Sequence, residues 1–203
     1  MHARARRRPR RTGRRVVVVA ACLSFAVVLA GCSTSDDAPA SEEFKFTGAT
    51  AAGQVIPSGD RAPAPSFTGE LLDGTSFTSA DLAGDIAVIN FWGSWCAPCR
   101  LETPDLQAVY ADLRGDGMQF LGVDVKDQRQ LASAFMSDAG AEYPSLYDPR
   151  GEVALDFRGF PANVVPSTIL LDAQGDVAAV YTGAVLQKDL RAALSALLKE
   201  DGS

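Results

Sequence analysis

The 203-residue chain carries a net charge of −6, but residues 1–31 hold eight arginines and no acid, which leaves 11 basic against 25 acidic side chains, about −14, in the rest. So acidic a body excludes the basic face that a nucleic acid would need. The single histidine is His2, and beyond Cys32 only Cys96 and Cys99 remain as cysteines; a Ser-His-Asp triad, a Cys-His pair, a His-ligated metal and a four-thiolate zinc site are therefore excluded from the body, and no cofactor is expected.

Residues 1–15 are arginine-rich, and Val16 to Ala30 is an apolar run broken only by Cys22 and Ser24. Fifteen residues are short of the roughly 20 that span a bilayer and suit the hydrophobic region of an export signal. The run ends at Leu29-Ala30-Gly31-Cys32 and then turns polar. This segment resembles the lipobox of bacterial lipoproteins. The resemblance implies cleavage before Cys32 and lipidation of its sulfur, giving a lipid anchor on the extracytoplasmic face of the cell membrane. A plain signal peptide and an uncleaved anchor are the alternatives. Arg14-Arg15 loosely resembles a twin-arginine signal, so the export route stays open between it and the general one.

Residues 32–64 are rich in Ser, Thr, Asp, Ala, Gly and Pro and read as a flexible linker, which leaves 65–203 as the folded domain. Asp73-Gly74 between Ser66-Phe67 and Ser76-Phe77-Thr78 predicts an N-terminal β-hairpin. Ile86 to Trp92 is a nearly unbroken apolar run, as in a strand buried on both faces. Pro98 to Leu113 repeats apolar residues at helical spacing, Met118 to Val125 reads as a second strand, and Asp127 to Ala139 as a helix with Asp127 at its N-cap. A short helix over 151–157, strands over 168–171 and 177–182 joined by a turn, and a closing helix over 187–198 complete the pattern. The order predicts an α/β domain with a central mixed sheet flanked by helices.

Trp95-Cys96-Ala97-Pro98-Cys99 falls where the first buried strand gives way to the first long helix. Two cysteines three apart at a helix start can close a disulfide with little distortion. Free N–H groups and the helix dipole there favour a thiolate at Cys96, which becomes the candidate nucleophile. Cys99, one turn inside, is the candidate resolving thiol. Half of a zinc site lacks its second cysteine pair. A static structural disulfide is permitted outside the cytoplasm but does not require this strand–turn–helix placement.

The stretch from Asn90 to Pro104, with its W-C-x-P-C-x-x-E-x-P pattern, resembles the active-site segment of the TlpA/ResA family of membrane-anchored thiol–disulfide oxidoreductases, which have the thioredoxin fold. Val164-Val165-Pro166-Ser167-Thr168 matches the segment that bears the family's cis-proline. The resemblance spans about Pro65 to Leu198. It implies that Pro166 is cis and beside the disulfide, that Glu102 is the acidic residue that can relay protons to or from Cys99, and that Trp95 packs near the sulfurs and shields them. Cytoplasmic thioredoxins carry a buried aspartate where this chain has Asn90, so Glu102 is the expected substitute.

The resemblance further implies a reductase whose substrate is apocytochrome c and whose electron donor is a membrane protein of the CcdA/DsbD type. An oxidase that installs disulfides in exported proteins would use the same atoms in reverse. A peroxiredoxin-like peroxidase needs a threonine or serine three residues before its cysteine, where this chain has Gly93. An inert lipoprotein binding module is the non-enzymatic alternative.

Overall fold

The computed structural model describes residues 53–115, 117–157 and 164–202. The expected signal peptide, Cys32 and the first part of the linker, up to residue 52, lie outside the described residues. Among the described residues, eight strands are β1 (Gln54–Val55), β2 (Thr68–Leu71), β3 (Ser76–Thr78), β4 (Ile86–Trp92), β5 (Met118–Val125), β6 (Ser145–Asp148), β7 (Ser167–Leu171) and β8 (Val177–Thr182). Four helices are α1 (Ala97–Leu113), α2 (Arg129–Asp138), α3 (Glu152–Asp156) and α4 (Gln187–Asp201). The strands form one mixed sheet in the order β1-β8-β7-β4-β5-β6-β2-β3, with β4, β5 and β6 parallel and the other pairings antiparallel. This is the thioredoxin-like α/β arrangement, with helices packed on a central mixed sheet and the β2–β3 hairpin at one margin.

All seven residues of β4 are buried, so each face of the strand feeds a different core. Ile86, Val88 and Trp92 join Phe120 of β5, Leu106 and Val109 of α1, Ala132 and Met136 of α2, and Leu190 and Leu194 of α4. Ala87, Ile89 and Phe91 join Leu121 and Val123 of β5 with Val153 and Ala154 of α3. Each large apolar side chain buried this way contributes about 2 kcal/mol. The alternation along β4 therefore sends its even-numbered residues, Asn90 included, to the face covered by α1.

The linker expected to reach Ala64 ends earlier. Gln54 and Val55 pair with Val180 and Ala179 of β8, and Ile56 is buried. The Arg61 side chain, 5% exposed, bridges Asp172 at 3.0 Å and Glu200 at 2.7 Å and donates to the Ile56 carbonyl. A guanidinium that far out of water needs such partners, and they fix residues 54–64 to the domain. Asp127 is not the N-cap of α2. Gln128 occupies that position, and the Asp127 carboxylate is engaged elsewhere.

The indole of Trp92 crosses from β4 over Gly122 of β5 to donate to Ser145 Oγ of β6 at 2.9 Å. A Cβ on Gly122 would stand 2.7 Å from that hydroxyl and 2.8 Å from the indole nitrogen, so only glycine leaves the path open. Gly122→Ala should therefore destabilise the fold by about 2 kcal/mol through overpacking, read as a lower denaturation midpoint at unchanged slope.

Candidate active site

β4 ends at Trp92 and α1 begins at Ala97, so the four residues between them decide what the helix presents. Gly93 and Cys96 close a tight turn, with the Cys96 N–H donating to the Gly93 carbonyl at 3.0 Å. Ser94 is tied from both sides. Its N–H donates to Asp127 Oδ2 at 2.6 Å, and its carbonyl accepts from Arg100 Nε at 3.0 Å and from the terminal guanidinium nitrogen at 2.7 Å. The turn is thus held by one carboxylate from the loop between β5 and α2 and one guanidinium from α1, and Cys96 follows at the N-cap of α1.

Cys96 and Cys99 are joined by a disulfide with an S–S distance of 2.10 Å. The Cys96 sulfur accepts from the Cys99 N–H at 3.2 Å, one of the helix-start N–H groups that lack a partner within the helix. Cys96 is 3% exposed and Cys99 is fully buried, so attack from outside reaches Cys96 first. Pro98 lies in the first turn, where a missing N–H costs little. α1 continues through Pro104, with Cys99, Glu102, Leu106 and Val109 on its buried side.

Glu102 is 2% exposed, not a solvated helix glutamate. Its Oε1 accepts from Asn90 Nδ2 at 2.9 Å and its Oε2 from the Val185 N–H at 3.0 Å. Asn90 also donates to Thr168 Oγ1 of β7 at 3.1 Å, so the residue that replaces an aspartate serves to hold Glu102. Burial pushes the carboxyl up to about 7, and outweighs the two donors that pull it down. A buried carboxyl raised toward neutrality thus sits one helical turn beyond Cys99. The phenol of Tyr143 is raised by its own burial and then by the nearby Glu102 charge.

The Val165–Pro166 bond is cis. Pro166 is buried, its carbonyl accepts from the Gly183 N–H at 2.8 Å, and Val165 packs against the core cluster that contains both cysteines. Trp92 and Trp95 diverge. Trp92 is core, whereas Trp95 is 54% exposed, its indole laid over Gly93 and donating to the Val125 carbonyl at 3.2 Å. Trp95 therefore forms a wall of an open cleft shared with Arg100, Lys126, Leu131 and Phe135.

Two residues whose place here the sequence did not reveal belong to this neighbourhood. Asp127, expected as a cap, is the anchor of Ser94. Asp124, fully buried at the end of β5, read as an ordinary strand position. An acid inside an otherwise apolar strand was the signal available for it.

Residues 60–180 match the model of the AhpC/TSA family. The chain is 36% identical over 124 residues to the thiol:disulfide interchange protein HelX of Rhodobacter capsulatus, covering 60% of this chain and 66% of that protein. It is 31% identical to the thiol-disulfide oxidoreductase ResA of Bacillus subtilis, covering 61% of this chain and 68% of that one. Among solved structures, a DsbF homologue from Corynebacterium diphtheriae superposes with a TM-score of 0.71 at 40% identity, covering 76% of this chain and 98% of that one. With a Cys-x-x-Cys disulfide at the mouth of a helix in a thioredoxin-like fold, the chain belongs to the AhpC/TSA family and, within it, to the ResA-like thiol–disulfide oxidoreductases.

Proposed function

We propose that this oxidoreductase exchanges disulfides with proteins outside the cytoplasm through Cys96 and Cys99, acting as a reductase in the maturation of c-type cytochromes. The observation that carries the reading is the Cys96–Cys99 bond at the N-terminus of α1 with the buried Glu102 carboxyl one turn further in. Thiolate Cys96 attacks a substrate disulfide, and one substrate sulfur leaves as thiolate and takes up a proton. Cys99 then gives its proton to the Glu102 carboxylate and attacks the Cys96 sulfur. The second substrate thiolate departs, the Cys96–Cys99 disulfide is restored, and two electrons have passed to the substrate. Pro166 flanks the exchange as the cis-proline, and Trp95 lines the approach to it.

The reductase direction, apocytochrome c as substrate and a CcdA/DsbD-type donor rest on the resemblance of the 90–104 segment to the TlpA/ResA family. Lipidation at Cys32 and residence on the extracytoplasmic face of the cell membrane rest on the Leu29-Ala30-Gly31-Cys32 sequence.

The reduced protein should cleave insulin disulfides, and Cys96→Ser should lower the rate by about a hundredfold or more, since the thiolate is the attacking species. Cys99→Ser should instead trap a mixed disulfide. A reduction potential near thioredoxin's, about −270 mV, fits the reductase, whereas one near about −120 mV assigns the reverse direction.

Glu102 generates a pH signature. Its folded value lies above the ordinary 4.5, at about 7, so between these the folded state binds more protons than the unfolded chain. Stability attributable to this group therefore falls as pH rises through that window and levels off above it. Relative to Glu102→Gln, the native protein should lose about 3 kcal/mol across the window, measured by denaturant titration at a series of pH values. Equal pH slopes in the two proteins would remove Glu102 as a proton carrier.

Cys32→Ala in the full chain should move the protein from the membrane fraction to the soluble fraction or retard its processing. Retention of mature protein in the membrane would exclude the lipid anchor at Cys32.

A further inference from the structure

Asp124 is fully buried, and neither of its carboxylate oxygens accepts from an N–H or hydroxyl of the protein; the group it meets is the Asp127 carboxyl. A buried group of this kind is expensive as an anion. Its position makes it more so. Asp124 lies beside Trp92 of β4 and Tyr147 of β6 in the sheet register, and its nearest charged neighbours are mostly acids. Asp127 leaves the end of β5 just after it, and Asp148 closes β6. Arg129, in the first turn of α2, opposes them, but its guanidinium is shared with Glu70 of β2 and stacks on the Tyr147 ring. Lys126 follows Asp124 by two residues in a left-handed conformation and lines the cleft beside Asp127.

Asp127 has the opposite environment. Its two oxygens accept from the Ser94 N–H at 2.6 Å and the Gln128 N–H at 2.7 Å, and both bonds favour the charged form. One carboxyl with no donor thus faces another that is well supplied. A single proton on Asp124, donated to Asp127, satisfies the buried acid and leaves Asp127 free to accept from the turn.

We propose that Asp124 and Asp127 share one proton and act as a unit that positions the turn before Cys96, Asp127 by holding Ser94 and Asp124 by keeping the pair at a single negative charge. Burial first, then the Asp127 charge, pushes Asp124 up to about 8, while Asp127 is held below its usual range. Above that point the pair carries two charges. The Asp124–Asp127 hydrogen bond is lost, the two carboxylates repel, and the hold on Ser94 loosens as negative charge builds up beneath the turn. Asp124 and Asp127 are positioning residues. Their effect on exchange rests on the reading of Cys96 as the attacking sulfur, but their effect on Ser94 does not.

The test begins with the disulfide form, in which neither cysteine titrates. The Ser94 amide resonance, followed from about pH 6 to about pH 10, should inflect near pH 8. A carbon-13 titration of the Asp124 carboxyl should share that midpoint, which requires no variant. The inflection should vanish in Asp124→Asn, whose amide mimics the protonated acid in size and charge, and persist in Glu102→Gln. No inflection, a midpoint that differs from that of Asp124, or an inflection that survives Asp124→Asn overturns the proposal. In exchange assays, the rate of Asp124→Asn relative to the native protein should rise about threefold between pH 7 and pH 9. A flat ratio overturns the positioning role. If the native protein exchanges no disulfides at any pH, the oxidoreductase reading fails, and the Ser94 and Asp124 titrations still decide whether the pair exists.

Discussion

The chemistry of this protein depends on the place where a strand buried on both faces runs out and a helix begins. β4 cannot shift by one residue without driving Asn90 into the apolar core beneath α3 and Phe91 into the site. Its register is therefore set by two cores at once. That rigidity is handed on through the 93–96 turn, whose backbone is held by Asp127 and Arg100, to the first N–H groups of α1. A sulfur placed there meets a ready-made electropositive end. The same sulfur on a mobile loop would lack both the orientation and the field.

Around this point the fold accepts costs that a purely structural core would avoid. Glu102 and Asp124 are carboxyls removed from water on the same side of the sheet, and each is poised to gain or lose a proton close to neutrality. They are handled differently. Glu102 has two donors, one from β4 and one from the loop before α4, which keep its charged form within reach. Asp124 has none and is accompanied by further acids. Perturbed groups of this kind concentrate where a fold does chemistry, and here they lie on either side of the strand that delivers the disulfide.

Much of this was legible in the chain. β4, β5 and β8 have the bounds that their apolar runs announce, because strands buried on both faces leave an uninterrupted signature. The Cys-x-x-Cys pair at a strand–helix junction and the proline before β7 were equally readable. β1 and β6 were not. Two and four residues are too few to show alternation, and Ser145-Leu146-Tyr147-Asp148 between a proline and an Asp-Pro step looks like loop. Residues 54–64 read as linker because what holds them is all distant in sequence: backbone pairing of Gln54 and Val55 with β8, and a buried arginine reaching partners 111 and 139 residues away. The role of Asp127 was misassigned for a related reason. A helix-capping residue and a residue that clasps a distant turn have the same composition, and only the fold brings Ser94 beside it. Composition does not separate Trp92 from Trp95, which divide here between full burial and the rim of a cleft.

Among the described residues the sheet ends at β1 on one margin and β3 on the other, strands of two and three residues. Unpaired backbone along a margin is an invitation for another extended chain to join by strand addition. Strands of this length offer a protein substrate little to zip onto, which leaves the Cys96–Cys99 disulfide as its point of exchange.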